Sequence, residues 1–306
     1  MGIDRRGFIK HLAGIGSAAV VGSASKVFAE EEFTGNPDRF GVLVDLTVCI
    51  GCRKCELACK QVNQLPYKSV AEFEDKSVFE QKRRTHADTY TIVNRFENSK
   101  IPGQPIYVKK QCMHCDEPAC ASACLVKAFT KTPEGAVVYN PKVCIGCRYC
   151  MAACPFNIPA YQYDDAFTPE VTKCTFCFDI ISQTGGKPGC VQNCPVDALT
   201  FGRREELVDL AHERIRMTPD KYVNHVYGEH EMGGTSWLYL SPVPFDEVGF
   251  RTDLGTTPAP KFTRGFLSMV SVVLVAWPAL CMGFYTFSKR REEIANAESN
   301  KSKEGK

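Results

Sequence analysis

The sequence predicts an α+β chain made of a repeated strand, cysteine turn and short helix, with one apolar helix near its C-terminus. Three observations carry this. Sixteen of the 17 cysteines fall into four tight groups of four. Short apolar runs precede three of those groups. The stretch Phe266–Phe287 holds no charged residue.

The third group sets the pattern: Cys144-Ile-Gly-Cys147-Arg-Tyr-Cys150-Met-Ala-Ala-Cys154-Pro155. It reads C-x2-C-x2-C-x3-C-P. Three thiolates in one turn can converge on one iron–sulfur cube, and the fourth is handed to a neighbouring cluster. Gly146 lets the chain curl closely around inorganic atoms. The first group, Cys49, Cys52, Cys55 and Cys59, repeats the spacing without the proline. The second, Cys112, Cys115, Cys120 and Cys124, widens one gap to four residues and is followed by Leu125. The fourth, Cys174, Cys177, Cys190 and Cys194, widens one gap to twelve and ends in Pro195. Two such units make a two-cluster module, so the expected architecture is tandem bacterial ferredoxin-like (2×[4Fe–4S]) modules with insertions. Little apolar surface is available to such modules, and metal ligation stands in for a core.

Strands are expected at Phe40–Asp45, Tyr90–Val93, Ile106–Val108 and Ala136–Tyr139. The segment 61–104 reads as a polar insertion with no assignable chemistry. After Phe201 a helix is expected over Arg204–Arg216, with Leu207, Leu210, Ala211 and Ile215 on one face. The apolar run Trp237–Leu240 suggests a packed hairpin or a partner surface. Residues 241–261 contain four prolines and read as an extended linker or strap.

The ends carry addresses. Asp4-Arg5-Arg6-Gly7-Phe8-Ile9-Lys10, an apolar run and Val27-Phe28-Ala29 read as a twin-arginine signal over 1–29. Gly14-x-Gly16-x-x-Ala19 imitates a dinucleotide fingerprint but has no strand before it. Phe266–Phe287 would span about 33 Å as a helix, enough for a bilayer core. Lys289-Arg290-Arg291 follows and places that end in the cytoplasm, leaving 30 to about 264 outside. Cys281 reads as an apolar filler within the span. The expected domains are thus the signal (1–29), tandem modules with four [4Fe–4S] clusters (30–200), a helix and partner-docking or linker extension (201–261), the transmembrane anchor (262–288) and a polar, disordered cytoplasmic tail (289–306). Folding around metal before export would protect sixteen thiols from an oxidising compartment.

Composition narrows the function. A net charge of +2 gives no polyelectrolyte signature of nucleic-acid binding. Disulfides suit cysteines scattered through a short secreted chain, whereas these are clustered. Zinc sites use two separated C-x2-C pairs and need no third cysteine three residues on. No C-x-x-C-H haem site, P-loop or zinc-protease helix occurs, and no nucleophile–base constellation is visible. The profile is that of an electron conduit and not of an enzyme. His114, Arg53, Lys54, Arg148 and Tyr149 lie among the cysteines and are read as tuning or surface residues.

These features resemble a known family. Lys110-Gln-Cys-Met-His-Cys115, Cys147-Arg-Tyr-Cys-Met-Ala-Ala-Cys-Pro155, Ala160-Tyr-Gln-Tyr163, Phe201-Gly-Arg-Arg-Glu-Glu-Leu207, and Tyr227-Gly-Glu with Gly234-Thr235 carry the likeness. The chain resembles the four-cluster ferredoxin-like iron–sulfur subunits of bacterial membrane oxidoreductases. Within these it looks most like those of the hydrogenase-2 operon (HybA-type) and of the high-molecular-weight cytochrome complex of sulfate reducers (HmcB-type). The resemblance implies nested ligand sets: Cys49, Cys52, Cys55 and Cys194; Cys59, Cys174, Cys177 and Cys190; Cys112, Cys115, Cys120 and Cys154; Cys124, Cys144, Cys147 and Cys150. All sixteen positions are cysteine, so four [4Fe–4S] clusters are expected. The missing proline after Cys59 and Cys124 departs from the bacterial ferredoxin pattern and puts the local turn in doubt. The resemblance further implies a periplasmic electron-transfer subunit anchored in the inner membrane. Its partners would be a catalytic redox subunit (a hydrogenase) or multihaem cytochrome c, and an integral quinone-interacting membrane subunit. The alternatives are the beta subunit of a molybdopterin oxidoreductase such as formate dehydrogenase, and a structural zinc protein on the membrane.

Overall fold

The computed structural model describes residues 36 and 38–304. The expected signal, 1–29, lies outside the described residues. The chain divides between Phe262 and Thr263 into two compact units.

A three-stranded sheet organises the first unit. Its middle strand is β1 (Phe40–Asp45). On one side β1 pairs antiparallel with β8 (Leu199–Arg203), with Val42 opposite Phe201. On the other it pairs parallel with β9 (Trp237–Leu240), with Val42 opposite Trp237. Both faces of this sheet are covered, so β1 and β9 are near-continuously apolar. Val42, Val44, Trp237 and Tyr239 face a core shared with Phe176, Tyr227 and Phe245. Leu43, Leu238 and Leu240 face the other way, onto Leu207, Ala211 and Ile215. Those three belong to helix α6 (Arg204–Met217). The expected helical face is present, with Leu210 only partly buried at its margin.

Three antiparallel two-stranded ladders complete the sheet structure. The strand β2 (Ile92–Phe96) pairs with β3 (Ile106–Lys110), so the expected strand at Tyr90–Val93 lies two residues further on. The strand β4 (Phe129–Lys131) pairs with β5 (Val137–Tyr139), and β6 (Ala160–Tyr161) with β7 (Val171–Thr172). The short helices are α1 (Lys54–Val62), α2 (Ala119–Ser122), α3 (Tyr149–Ala153), α4 (Phe178–Thr184) and α5 (Gly189–Gln192). Helix α1 packs on α5, and α2 on α3. The strand before the first cysteine group thus pairs with the strand after the fourth (β1 and β8). The strand after the second pairs with the strand before the third (β4 and β5). One module encloses the other along the chain.

Several expectations need correction. Trp237–Leu240 is the packed hairpin and not a partner surface: Tyr239 and Tyr227 exchange backbone hydrogen bonds at 2.9 and 3.1 Å across the turn at Gly233–Gly234, and all four strand residues are inaccessible to solvent because the strand also completes the sheet beside β1. The segment 241–261 is not a free linker. Val243, Phe245 and Val248 are buried in the core beside Trp237. Its prolines shape a loop packed down by apolar contacts. The segment 61–104 is likewise tied to the cysteine turns, as described below.

The last helix, α7, runs Ala259–Glu304 with Pro278 inside it. It begins before the expected boundary at 262 and continues through the stretch 289–304 expected to be disordered. Alternating Glu, Lys, Arg and Ala in that stretch are strong helix formers and extend the apolar segment without a stop signal. Its Ala259–Glu298 portion contains a strongly apolar stretch, none of it buried. It is long and apolar enough to cross a membrane.

Candidate iron–sulfur centre

The four cysteine groups share a backbone solution. The residue before the second cysteine is left-handed in every group: Gly51 (φ 67°), His114 (φ 50°), Gly146 (φ 69°) and Phe176 (φ 61°). That turn points its amides inward. The N–H of Gly146 donates to Cys144 Sγ at 3.4 Å and that of Phe176 to Cys174 Sγ at 3.4 Å. Gly51 is required for a further reason: a Cβ there would stand 2.4 Å from the Tyr107 ring. After the last cysteine a second left-handed residue recurs at Lys127, Asn157 and Asp197. Lys127 adopts it without a preceding proline, and Ala128 N–H donates to Cys124 Sγ at 3.2 Å. The turn after Cys124 therefore keeps the pattern that the missing proline put in doubt. After Cys59 it does not: α1 continues to Val62. There Asn63 Nδ2 reaches back to Cys59 Sγ at 3.6 Å.

The thiols have electrostatic neighbours in other cysteine groups. Burial raises the Cys49 thiol to about 11, and its thiol neighbours are Cys52 and Cys194. Cys55, pushed well up by burial, interacts with Cys49. Burial also pushes Cys59 well up, and its neighbours are Cys174, Cys177 and Cys190. For Cys115, raised first by burial, they are Cys112, Cys120 and Cys154. For Cys150, raised by burial to about 11, they are Cys124, Cys144 and Cys147. The structure thus brings together residues far apart in sequence, joining the first group to the fourth and the second to the third.

The sets also meet one another. Beyond its own set, Cys55 interacts with Cys190, Cys174 with Cys112, and Cys120 with Cys150. These three pairs link each set electrostatically to the next. Cys147 is exposed, whereas the other fifteen grouped cysteines are buried or half-buried.

The donor chemistry fits iron–sulfur clusters. A thiol whose ionisation is opposed by burial becomes a thiolate when a bound cation compensates it. One enclosed cavity is lined by Cys59, Cys174, Cys177 and Cys190, together with Lys109, Phe176 and Trp237. Among the described residues no three His, Cys, Asp or Glu side chains converge as a single metal ion requires. A lone zinc ion would draw its sulfurs to about 2.3 Å, whereas a cube holds them apart across its corners.

Residues around the turns have defined tasks. His114 is fully buried, and its Nδ1 accepts the Val137 N–H at 2.8 Å. Burial holds its pKa well below the ordinary value, so the ring is neutral and protonated on Nε2. It packs 5.0 Å from the Phe176 ring. Arg53, expected to tune charge or shape the surface, is instead 3% exposed and structural. It donates to Glu56 Oε2 at 3.1 Å, to Glu72 O at 2.8 Å and to Asp75 O at 3.1 Å. Glu56 also meets Arg83 and accepts the Val93 N–H at 2.6 Å. These contacts fasten the 61–104 insertion to the first cysteine turn. Lys54 and Tyr149 are exposed, and Arg148 lies over the rings of Tyr161 and Tyr163.

Sequence reasoning missed Asp116, Arg39 and Arg204. Asp116 is buried, 2.9 Å from Arg39 and 3.9 Å from Arg204. Its N–H donates to Gly234 O at 3.0 Å, and Cys115 bridges Thr235. Gly234 (φ 99°) leaves room for that carboxylate: a Cβ would stand 2.8 Å from Asp116 Oδ2. The stretches at 201–207 and 234–235 were visible in the sequence, but nothing there showed that they clamp the second cysteine turn.

Comparison with known proteins points to the same cofactor chemistry. A 4Fe-4S dicluster domain family matches residues 104–204. A protein of Nitratidesulfovibrio vulgaris Hildenborough is 52% identical over 298 residues, covering 97% of this chain and 80% of its own length. The hydrogenase-2 operon protein HybA of Escherichia coli O157:H7 is 34% identical over 275 residues, covering 80% of this chain and 83% of its own length. The nitrate-inducible formate dehydrogenase iron-sulfur subunit of E. coli K12 is 34% identical over 208 residues, covering 65% of this chain and 66% of its own. With its 4Fe-4S dicluster domain and four sets of thiols, the chain belongs to the iron–sulfur protein family of the hydrogenase-2 operon protein HybA.

Proposed function

We propose that this chain is the electron-transfer subunit of a membrane-bound oxidoreductase complex, passing single electrons along four [4Fe–4S] clusters. The ligand sets are Cys49, Cys52, Cys55 and Cys194; Cys59, Cys174, Cys177 and Cys190; Cys112, Cys115, Cys120 and Cys154; and Cys124, Cys144, Cys147 and Cys150. The observation that carries this is the electrostatic linkage of each thiol set to the next through one cysteine pair, which supports an arrangement of the clusters in a row. When bound, each cluster supplies a site that holds or releases one electron. The protein fixes the clusters in sequence, leaves the Cys49/Cys52/Cys55/Cys194 set half-buried and offers the Cys124/Cys144/Cys147/Cys150 set at the surface through Cys147.

Partners dock at the ends of the row. Around Cys147, Ile145, Tyr149 and Tyr163 are exposed by 56–67%, and Arg148 stacks between Tyr161 and Tyr163. Aromatic and arginine side chains on a surface suit protein docking. A hydrogenase or a multihaem cytochrome c serves one end and a quinone-linked membrane subunit the other. Helix α7 anchors the chain in the inner membrane, with Lys289–Arg291 in the cytoplasm and the cysteine modules in the periplasm. The twin-arginine signal at 1–29 supports export of a finished fold.

Iron and sulfide analysis with EPR of the reduced protein tests this reading. About 16 irons per chain are expected, four per cluster; fewer than about 12 would contradict four full clusters. A second reading makes the partner a formate dehydrogenase, favoured by the likeness to that enzyme's iron-sulfur subunit. The greater coverage of HybA favours the hydrogenase. Nickel against molybdenum in the co-purified complex separates the two.

A further inference from the structure

Lys109, on β3, is a buried cation without an acidic partner. It is 3% exposed. Its Nζ donates to Thr91 Oγ1 at 2.7 Å and Gln111 Oε1 at 2.9 Å, and lies 4.4 Å from the centre of the Trp237 ring. All three partners are neutral. Among the described residues no carboxylate pairs with Lys109, whereas the buried Lys131 stands 3.5 Å from Asp116. An ammonium removed from water needs a counter-charge, and hydrogen bonds to an alcohol and an amide do not supply one.

Thiols surround it. Its charge acts on Cys55 of one set and on Cys59, Cys174 and Cys190 of the next. Its side chain lines the same cavity as Cys59, Cys174, Cys177 and Cys190.

We propose that Lys109 is the fixed counter-charge shared by two adjacent clusters, those on Cys49/Cys52/Cys55/Cys194 and on Cys59/Cys174/Cys177/Cys190, and that it raises the reduction potential of both. The proposal rests on the ligand sets given above. Four thiolates around a [4Fe–4S] core leave a net negative centre, and reduction adds one more negative charge. No bond forms or breaks; the electron arrives from the redox partner or the next cluster. A cation held close by stabilises the reduced form more than the oxidised form. Because Lys109 lines the cavity of one set and its charge acts on Cys55 of the other, it lifts the two potentials together. The step between them stays small, while both rise relative to the two clusters it does not reach.

The test is a redox titration, followed by EPR, of the intact membrane-bound protein and its Lys109→Met, Lys109→Gln and Lys109→Arg variants. Iron content of the unmodified protein checks the cluster reading separately. Removing the charge is expected to lower the reduction constants of two of the four clusters at least tenfold, about 59 mV for one electron, while Lys109→Arg stays within half of that shift. Unchanged potentials in fully loaded Lys109→Met and Lys109→Gln would overturn the proposal, and so would a uniform shift of all four clusters. If both neutral variants lose iron, a loaded Lys109→Arg supports a need for charge. Loss of iron in all three assigns Lys109 to packing alone and overturns the proposal.

Discussion

Glu56 and Arg83 meet with a nitrogen–oxygen distance of 2.5 Å, and the carboxylate is only 2% exposed. Glu56 belongs to the first cysteine turn and Arg83 to the insertion that follows. Arg53 holds the same carboxylate from the other side at 3.1 Å. Removing Glu56 would leave two guanidinium groups facing each other in a buried place, which costs about 3–5 kcal/mol. Glu56→Ala is therefore expected to lower the guanidinium midpoint for loss of visible absorbance. An unchanged midpoint would show that water enters and screens the two arginines.

Cys194→Ser tests the nested pairing. The lost thiol is an electrostatic neighbour of Cys49. One EPR component should disappear or change, and it should be the same component altered by Cys49→Ser. If Cys194→Ser instead matches Cys174→Ser, the first and fourth groups do not share a cluster in this way.

Gly51 is held by two constraints at once, its φ of 67° and the Tyr107 ring 2.4 Å from any added Cβ. Gly51→Ala should destabilise the first turn by about 1–3 kcal/mol and reduce iron loading. Adding Tyr107→Ala removes the clash but not the backbone strain. The double variant should recover loading in part, read as iron per chain; no recovery would place the whole cost in the backbone.

The docking surface at Cys147 makes a kinetic prediction. Tyr163→Glu places a charge beside Arg148 without touching a cysteine. It should slow electron exchange with the partner docked at that surface several-fold and leave iron content and potentials unchanged. Full exchange rates would move the docking site elsewhere.

Removal of α7 after Phe262 cuts at the boundary between the two compact units. The shortened chain should keep its iron and leave the membrane fraction. Retention in the membrane would mean that another subunit holds the cysteine modules there.

Much of the site was legible because iron–sulfur ligation demands cysteines at fixed short spacings. The strand before the first group was equally clear, since β1 is buried on both faces and its sequence is unbroken Val-Leu-Val. What escaped were relations between distant segments. Trp237–Leu240 read as a packed hairpin or a partner surface, but its parallel pairing with β1 stayed hidden, because β1 lies near the other end of the unit. Lys109 looked like an ordinary strand residue, because nothing local marks a lysine whose surroundings are supplied by Thr91, Gln111 and Trp237. Asp116 and Glu56 were hidden for the same reason. Arg39 and Arg204 come to Asp116, and Arg83 comes to Glu56, from distant segments.

The pairing of β1 with β8 and β9 imposes a timetable on assembly. The second and third cysteine groups, with β4 and β5 between them, are neighbours on the chain and close a short loop. The first group must wait for Cys194, and its strand must wait for Trp237. Non-local contacts of that kind form late because the loop they close is long. On a ribosome the inner half can thus take its shape while the outer half is still being made. The N-terminal strand, though synthesised first, is among the last to find its place.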